Sequence, residues 1–246
     1  MNEFSQGCEA CSHRLGLEPE QCFHCANVEP WMYNDAHSLG VYFCRAMPQH
    51  HSSEWSKAII KFKQGFSPVI SAMARMAAFY LQASLTELRP YVLTNVPTWM
   101  NEEKQRLFPK LDFGVTRRLA LAAFRSFKNT RGTDCRQLLA LTGSKKKRQR
   151  ECRSRAERQR NTDGAYMVCD PQRVENMNII ILDDVLTTGS TLRACGLALK
   201  QAGAKQVVPV VLGVTARKEN GYGNGSHMRQ MQDSVLQREF ALPGVS

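Results

Sequence analysis

Two adjacent carboxylates, Asp183 and Asp184, are followed by a short run of hydroxyls around one glycine: Thr187, Thr188, Gly189, Ser190 and Thr191. Ahead of them stand four consecutive aliphatic residues, Ile179 to Leu182, the pattern of a strand buried on both faces. A helical period begins at Leu192. Strand, loop and helix start in that order build an anion site. Unpaired first-turn amides and the helix dipole point at the loop, Gly189 lets the backbone approach closely, and the hydroxyls add donors. The two carboxylates repel a phosphate, so they suit sugar hydroxyls or a hard cation such as Mg²⁺. The plainer alternative is a buried strand leading into a hydroxyl-capped helix.

A second group lies near the N-terminus. Cys8-x-x-Cys11 and Cys22-x-x-Cys25 are separated by ten residues. Two such knuckles supply the four thiolates of a tetrahedral Zn²⁺ site, and a segment this short needs such a staple to fold. His13 and His24 are bystanders on this reading. The remaining five of the nine cysteines lack paired spacing, which speaks for free thiols rather than a disulfide framework.

The third group is a charge run. Residues 145–160 hold nine basic residues, Lys145, Lys146, Lys147, Arg148, Arg150, Arg153, Arg155, Arg158 and Arg160, against two glutamates. Their net +7 is most of the chain's +11. Such a run is a solvated arm or a surface for a polyanion, and any nucleic acid bound there would show strong salt dependence. No aromatic residue is interleaved, so base stacking is not expected from this stretch.

Residues Ile179 to Thr191 resemble, at every position, the phosphoribosyl-pyrophosphate (PRPP) signature of type I phosphoribosyltransferases. The resemblance implies that Asp183 and Asp184 form the catalytic acid pair, contacting the ribose hydroxyls. It implies that the loop Thr187, Thr188, Gly189, Ser190 and Thr191 binds the 5′-phosphate of PRPP, with Mg²⁺ accompanying the substrate. More of the chain is similar to the competence-associated ComF family, whose members join an N-terminal zinc module to a phosphoribosyltransferase-like domain. The carriers are the Cys8/Cys11/Cys22/Cys25 knuckle, Ile60-Lys61-Phe62-Lys63, Val96-Pro97, and Ser154 to Asn161 with Gly164-Ala165-Tyr166. Lys61 and Lys63 become candidates for holding pyrophosphate. Where that family has Arg-Gly-Phe-Asn-Gln, this chain has Leu111-Asp112-Phe113-Gly114-Val115, sharing only the phenylalanine. The resemblance therefore implies PRPP binding more directly than turnover. It also implies a role in natural transformation, with internalised single-stranded DNA and competence or recombination proteins as partners.

These sites need a scaffold. At 246 residues and 43% hydrophobic, the chain has room for one α/β domain and a small appendage. The expected layout is a zinc module over 1–30, a connecting segment over 31–52, a phosphoribosyltransferase-like domain over 53–217 and a loose tail over 218–246. Ser53 or Ser56 would cap a helix carrying Ile59, Ile60 and Phe62. Ser67-Pro68 would open a long core helix limited by Pro90. Tyr91 to Val96 reads as a strand, Phe113 to Phe127 as an amphipathic helix, and Thr191 to Ala202 as a helix closed by Gly203. Gln206 to Val214 reads as another strand, although Pro209 argues against regular central pairing there. Together they predict a doubly wound, mostly parallel sheet whose ligand site lies beyond the C-terminal strand ends.

No run is long enough to span a bilayer, and Met1-Asn2-Glu3 does not begin a signal pattern, so a cytoplasmic location is the expectation. No cysteine follows Met1, so a glutamine-hydrolysing N-terminal nucleophile is not expected. Three classes of function follow. One is a PRPP-binding protein of the ComF type. The second is an active phosphoribosyltransferase, in which a base or amine displaces pyrophosphate from the anomeric carbon. The third is a zinc-containing nucleic-acid adaptor with a vestigial PRPP site.

Overall fold

The computed structural model describes residues 36–43, 48–98, 114–128, 130–142, 162, 164–187 and 189–215. The proposed zinc ligands Cys8, Cys11, Cys22 and Cys25, the basic run 145–160, Thr188 and the tail from 218 onward lie outside the described residues.

A parallel sheet forms the centre. Strand β3 (Tyr91–Asn95) is buried along its whole length, and β7 (Asn178–Leu186) lies beside it. On the other side of β7 runs β8 (Gln206–Thr215). One edge is β4 (Thr133–Cys135), and the other is made by the two-residue strands β1 (His37–Ser38) and β2 (Val41–Tyr42). Every pairing in this sheet is parallel. Parallel strands covered on both faces need aliphatic residues at consecutive positions, which is why Ile179 to Leu182 reads as an unbroken apolar run.

Successive side chains of β7 serve opposite faces. Ile180 and Leu182 pack with helices α1 (Glu54–Lys63), α2 (Ser67–Ser84) and α3 (Val115–Arg125). Ile179 and Ile181 pack against α4 (Ser190–Gln201) and a small antiparallel strand pair, β5 (Leu139–Leu141) with β6 (Tyr166–Val168). Helices on both faces of a parallel sheet are the doubly wound α/β layout expected from the sequence.

Helix α4 lies one residue earlier at each end than the expected Thr191 to Ala202, and three further local expectations change. The long helix starts at Ser67 with Phe66 as its cap residue, so Ser67 is helical and Pro68 follows inside the first turn, where its missing N–H costs nothing. Strand β7 continues through the acids to Leu186 instead of ending before them, with Asp183 paired to Val211 and Val185 to Gly213. Pro209 is accommodated within β8, opposite Ile181, because β1 joins the other side of β8 only from Val210 onward. Proline is tolerated where one flank of a strand carries no ladder.

The segment before residue 53 contributes more than a connection, since β1 and β2 extend the sheet. Its seat is tight. Trp55 Nε1 donates to Leu212 O at 3.0 Å, and a Cβ on Gly40 would stand 2.4 Å from Trp55 Nε1. Glycine at 40 thus permits the edge to lie directly on the indole. Ser53 caps α1, its Oγ accepting from Ser56 N–H at 3.1 Å.

Candidate active site

The C-terminal ends of the parallel strands bring the sequence-identified residues to one rim. Asp183 and Asp184 occupy the end of β7, both half-buried. Asp183 Oδ1 accepts the Asp184 N–H at 2.8 Å, and Asp184 Oδ1 accepts the Val185 N–H at 2.5 Å. Each carboxylate is thereby tethered by one oxygen to the next backbone amide, which fixes its direction.

The loop then turns on Gly189, which has φ 74°, a left-handed conformation that a side chain would strain. Gly189 is buried, is the cap residue of α4, and accepts the Arg193 N–H at 2.8 Å. Having no side chain, it gives the first turn of α4 no side-chain cap of the kind a serine or aspartate would supply. Thr187 is exposed, with its Oγ1 3.0 Å from that of Thr215 at the end of β8. Ser190 and Thr191 open the helix. Asp183, Asp184, Thr187, Gly189, Ser190 and Thr191 are therefore gathered at one strand–loop–helix junction. It has the form of an anion cradle beside two acids.

Neighbouring elements frame the cradle. Val96 N–H donates to Leu182 O at 2.9 Å, so the end of β3 lies next to the acid pair. Thr116 Oγ1 on α3 donates to Val96 O at 3.0 Å, and Asn95 Nδ2 donates to the same oxygen at 3.0 Å. These bonds hold the Val96-Pro97-Thr98 lip in place.

Two residues at the site were not assigned these positions by sequence reasoning. Lys63, at the last turn of α1, places its Nζ 3.0 Å from Asp184 Oδ2 and 6.0 Å from the centre of the Tyr42 ring. Partial burial of Lys63 acts to lower its pKa. The charge of Asp184 and its hydrogen bond, with help from Asp183 and Tyr42, reverse this and leave the pKa raised. Its charge and the family resemblance had marked Lys63 as a pyrophosphate contact, and the structure places it on the acid pair. Lys61 is two positions earlier, and residues at that spacing do not share a helix face. Tyr166, from the β5–β6 pair, is buried near Asp183, Thr191 and Cys195. Burial first, then the Cys195 and Asp183 charges, push its phenol well above the ordinary value, and a hydrogen bond with Thr191 opposes them. Nothing in the sequence pattern points to Tyr166 as a neighbour of the acids, since the strand pair's packing is not local.

The donor chemistry at the rim suits Mg²⁺ only in part. Among the described residues no group of three or more His, Cys, Asp or Glu converges. Two carboxylates are what Mg²⁺ takes from a protein when a phosphorylated ligand supplies its other oxygens, so Asp183 and Asp184 fit such a shared cation.

Residues 139–227 match the family model described as a phosphoribosyl transferase domain. The match spans the β5–β6 pair, the acid pair, the loop and β8. Among solved structures, glutamine PRPP amidotransferase from B. subtilis, complexed with ADP and GMP, is similar at 20% identity with a TM-score of 0.38, covering 58% of this chain and 26% of that one. A structure described as the allosteric regulatory enzyme of purine biosynthesis is similar at 20% identity and a TM-score of 0.37, again over 58% and 26%. A hypoxanthine phosphoribosyltransferase from Staphylococcus aureus shares 12% identity, a TM-score of 0.35, and coverage of 63% of this chain and 78% of that one. This chain thus spans about a quarter of the length of the first two. No curated protein sequence matches it. Among the described residues no helix is long and apolar enough to cross a membrane.

Proposed function

We propose that this protein binds PRPP together with Mg²⁺ at the rim of its parallel sheet. One observation carries the reading: the left-handed Gly189 turns the chain from the acid pair into the α4 N-terminus, so hydroxyl-binding carboxylates stand beside an anion-binding helix start. Asp183 and Asp184 take the ribose hydroxyls. The α4 amides with Thr187, Thr188, Gly189, Ser190 and Thr191 take the 5′-phosphate. Asp183 and Asp184 would be the residues to hold Mg²⁺, which when bound would supply positive charge against the pyrophosphate. If an acceptor base or amine joins, its lone pair forms the new bond at the anomeric carbon while the bond to pyrophosphate breaks and the leaving group departs with the electron pair. The rim would then stabilise positive charge on the sugar and negative charge on the leaving group.

The finer reading is a ComF-type protein acting in natural transformation. It rests on the Cys8/Cys11/Cys22/Cys25 knuckle as a structural Zn²⁺ site, on Ile60-Lys61-Phe62-Lys63, and on the basic run 145–160 as a surface for single-stranded DNA. Metal analysis of purified protein should give one Zn²⁺ per chain, lost when Cys8 and Cys22 are replaced by serine.

The PRPP reading is tested by calorimetric titration of PRPP with Mg²⁺ into wild type and into an Asp183→Asn/Asp184→Asn variant. Two charge-assisted contacts are removed, each worth about 1.5–3 kcal/mol, so affinity should fall by more than about 100-fold. Equal affinity in the two proteins, both folded, would sink the reading.

A further inference from the structure

We propose that Lys63 is an internal counter-ion of the acid pair that passes to the pyrophosphate when PRPP arrives, so that this one lysine separates PRPP from ribose 5-phosphate. The inference rests on the PRPP reading of the site and adds to it the exchange by which Lys63, paired with Asp184 in the free protein, reaches the leaving group.

The scaffold invests in putting Lys63 where it is. Helix α1 is pinned at its start by Trp55, whose Nε1 bonds Leu212 O at 3.0 Å. In its middle, a Cβ on Gly213 would meet Ile59 Cδ1 at 2.9 Å and Tyr42 Cβ at 3.1 Å, so β8 carries glycine where α1 and β2 press closest. Its last turn then ends over β7, with Lys63 at 3.0 Å from Asp184 Oδ2 and the Tyr42 ring beneath the ammonium. A cation also suits the C-terminal end of a helix.

The pair is built for exchange. The side chains are 42% exposed for Lys63 and 24% for Asp184, and an ion pair that open to water holds its partners only weakly. Ribose hydroxyls or a shared Mg²⁺ that engage Asp184 from the open side compete directly with the ammonium. In PRPP the carbon bearing pyrophosphate is bonded to a carbon bearing one of those hydroxyls. The displaced ammonium therefore finds several negative oxygens beside the carboxylate it leaves. The flexible lysine stem makes that swing without moving α1.

Ribose 5-phosphate carries the same 5′-phosphate and hydroxyls but lacks the pyrophosphate. Calorimetric titrations of both ligands, with Mg²⁺, into wild type, Lys63→Met and Lys63→Arg proteins separate the roles. Lys63→Met should weaken PRPP by about tenfold or more, the scale of one charge-assisted contact. It should leave ribose 5-phosphate unchanged or slightly tighter, because the internal competitor is gone. Lys63→Arg should keep most of the preference for PRPP. Equal changes for the two ligands would overturn the proposal and leave Lys63 a local support for Asp184. If wild type binds neither ligand while folded, the PRPP reading itself fails and the proposal falls with it.

Discussion

The two ends of the same strands use polar residues in opposite ways. At the N-terminal end, Tyr91, Thr133 and Asn178 lie in one row across β3, β4 and β7. Asn178 Nδ2 donates to Leu88 O at 2.7 Å and Pro90 O at 3.4 Å, and the Tyr91 phenol, its pKa raised by burial, has Thr133 and Arg89 beside it. Asn178 thus ties that end to the backbone at Leu88 and Pro90. At the C-terminal end, Asp183 and Asp184 spend one oxygen each on the next amide, and Asp184 gives its other oxygen to Lys63. The same extended backbone gives a structural clasp at one end and a charged rim at the other, because only the C-terminal ends feed the turns into helices.

The clasp should matter to stability and not to ligand. Asn178→Ala removes both donors to the Leu88 and Pro90 carbonyls in a partly buried position, a loss of about 1–3 kcal/mol. Urea unfolding should show that shift while PRPP affinity per folded molecule stays at the wild-type value. A binding defect without a stability defect would break the division between the two ends.

The rim should behave in the opposite sense. Gly189→Ala forces a side chain into the left-handed region at φ 74°, a strain of about 1–2 kcal/mol that the loop relieves by leaving its binding shape. PRPP and ribose 5-phosphate should both weaken by about tenfold, since both present the 5′-phosphate. Unlike Lys63→Met, this change does not discriminate between them. Titration of both ligands into Gly189→Ala thus sharpens the assignment of phosphate and pyrophosphate to separate parts of the rim. Unchanged binding of both would remove the phosphate from the α4 start.

How much of this was legible in the sequence follows from what is local. The strand, acids, glycine loop and helix of the rim are contiguous, so Asn178 to Gln201 could be read in order, with the strand's length misjudged and the helix placed one residue late at each end. The Ser67-Pro68 pair marked the right helix and missed its start by one residue, because proline is tolerated at either of the first two positions. What escaped depends on long-range packing. Two-residue strands such as β1 and β2 carry no period, and the acceptability of Pro209 depends on where a neighbouring strand begins. Lys63 was named with Lys61 by charge and by the family resemblance, yet its Asp184 partner is set by the seating of Trp55 and Gly213, residues that carry no pattern of their own.

The smallest expected effect is on pH dependence, and it again separates groups by burial. Lys63 and Tyr166 both have folded-state pKa values above their ordinary ones, Tyr166 by the larger displacement. The unfolded chain then releases these protons first as pH rises, so the native state loses ground once pH passes the ordinary values of about 10 for tyrosine and lysine. Their contribution is whole below that pH and is lost as pH climbs through the folded values. Thermal unfolding midpoints followed from about pH 8 to about pH 11 should therefore be level and then decline. Tyr166→Phe should flatten the decline more than Lys63→Met, since water screens the half-exposed lysine while the phenol is enclosed. Phenolate absorbance gives an independent measure: Tyr166 should stay silent until the chain unfolds. A phenolate signal from Tyr166 at about pH 10 in the folded protein would show that the β5–β6 pair opens at the rim, and that the closed packing around Asp183 and Thr191 is not maintained in solution.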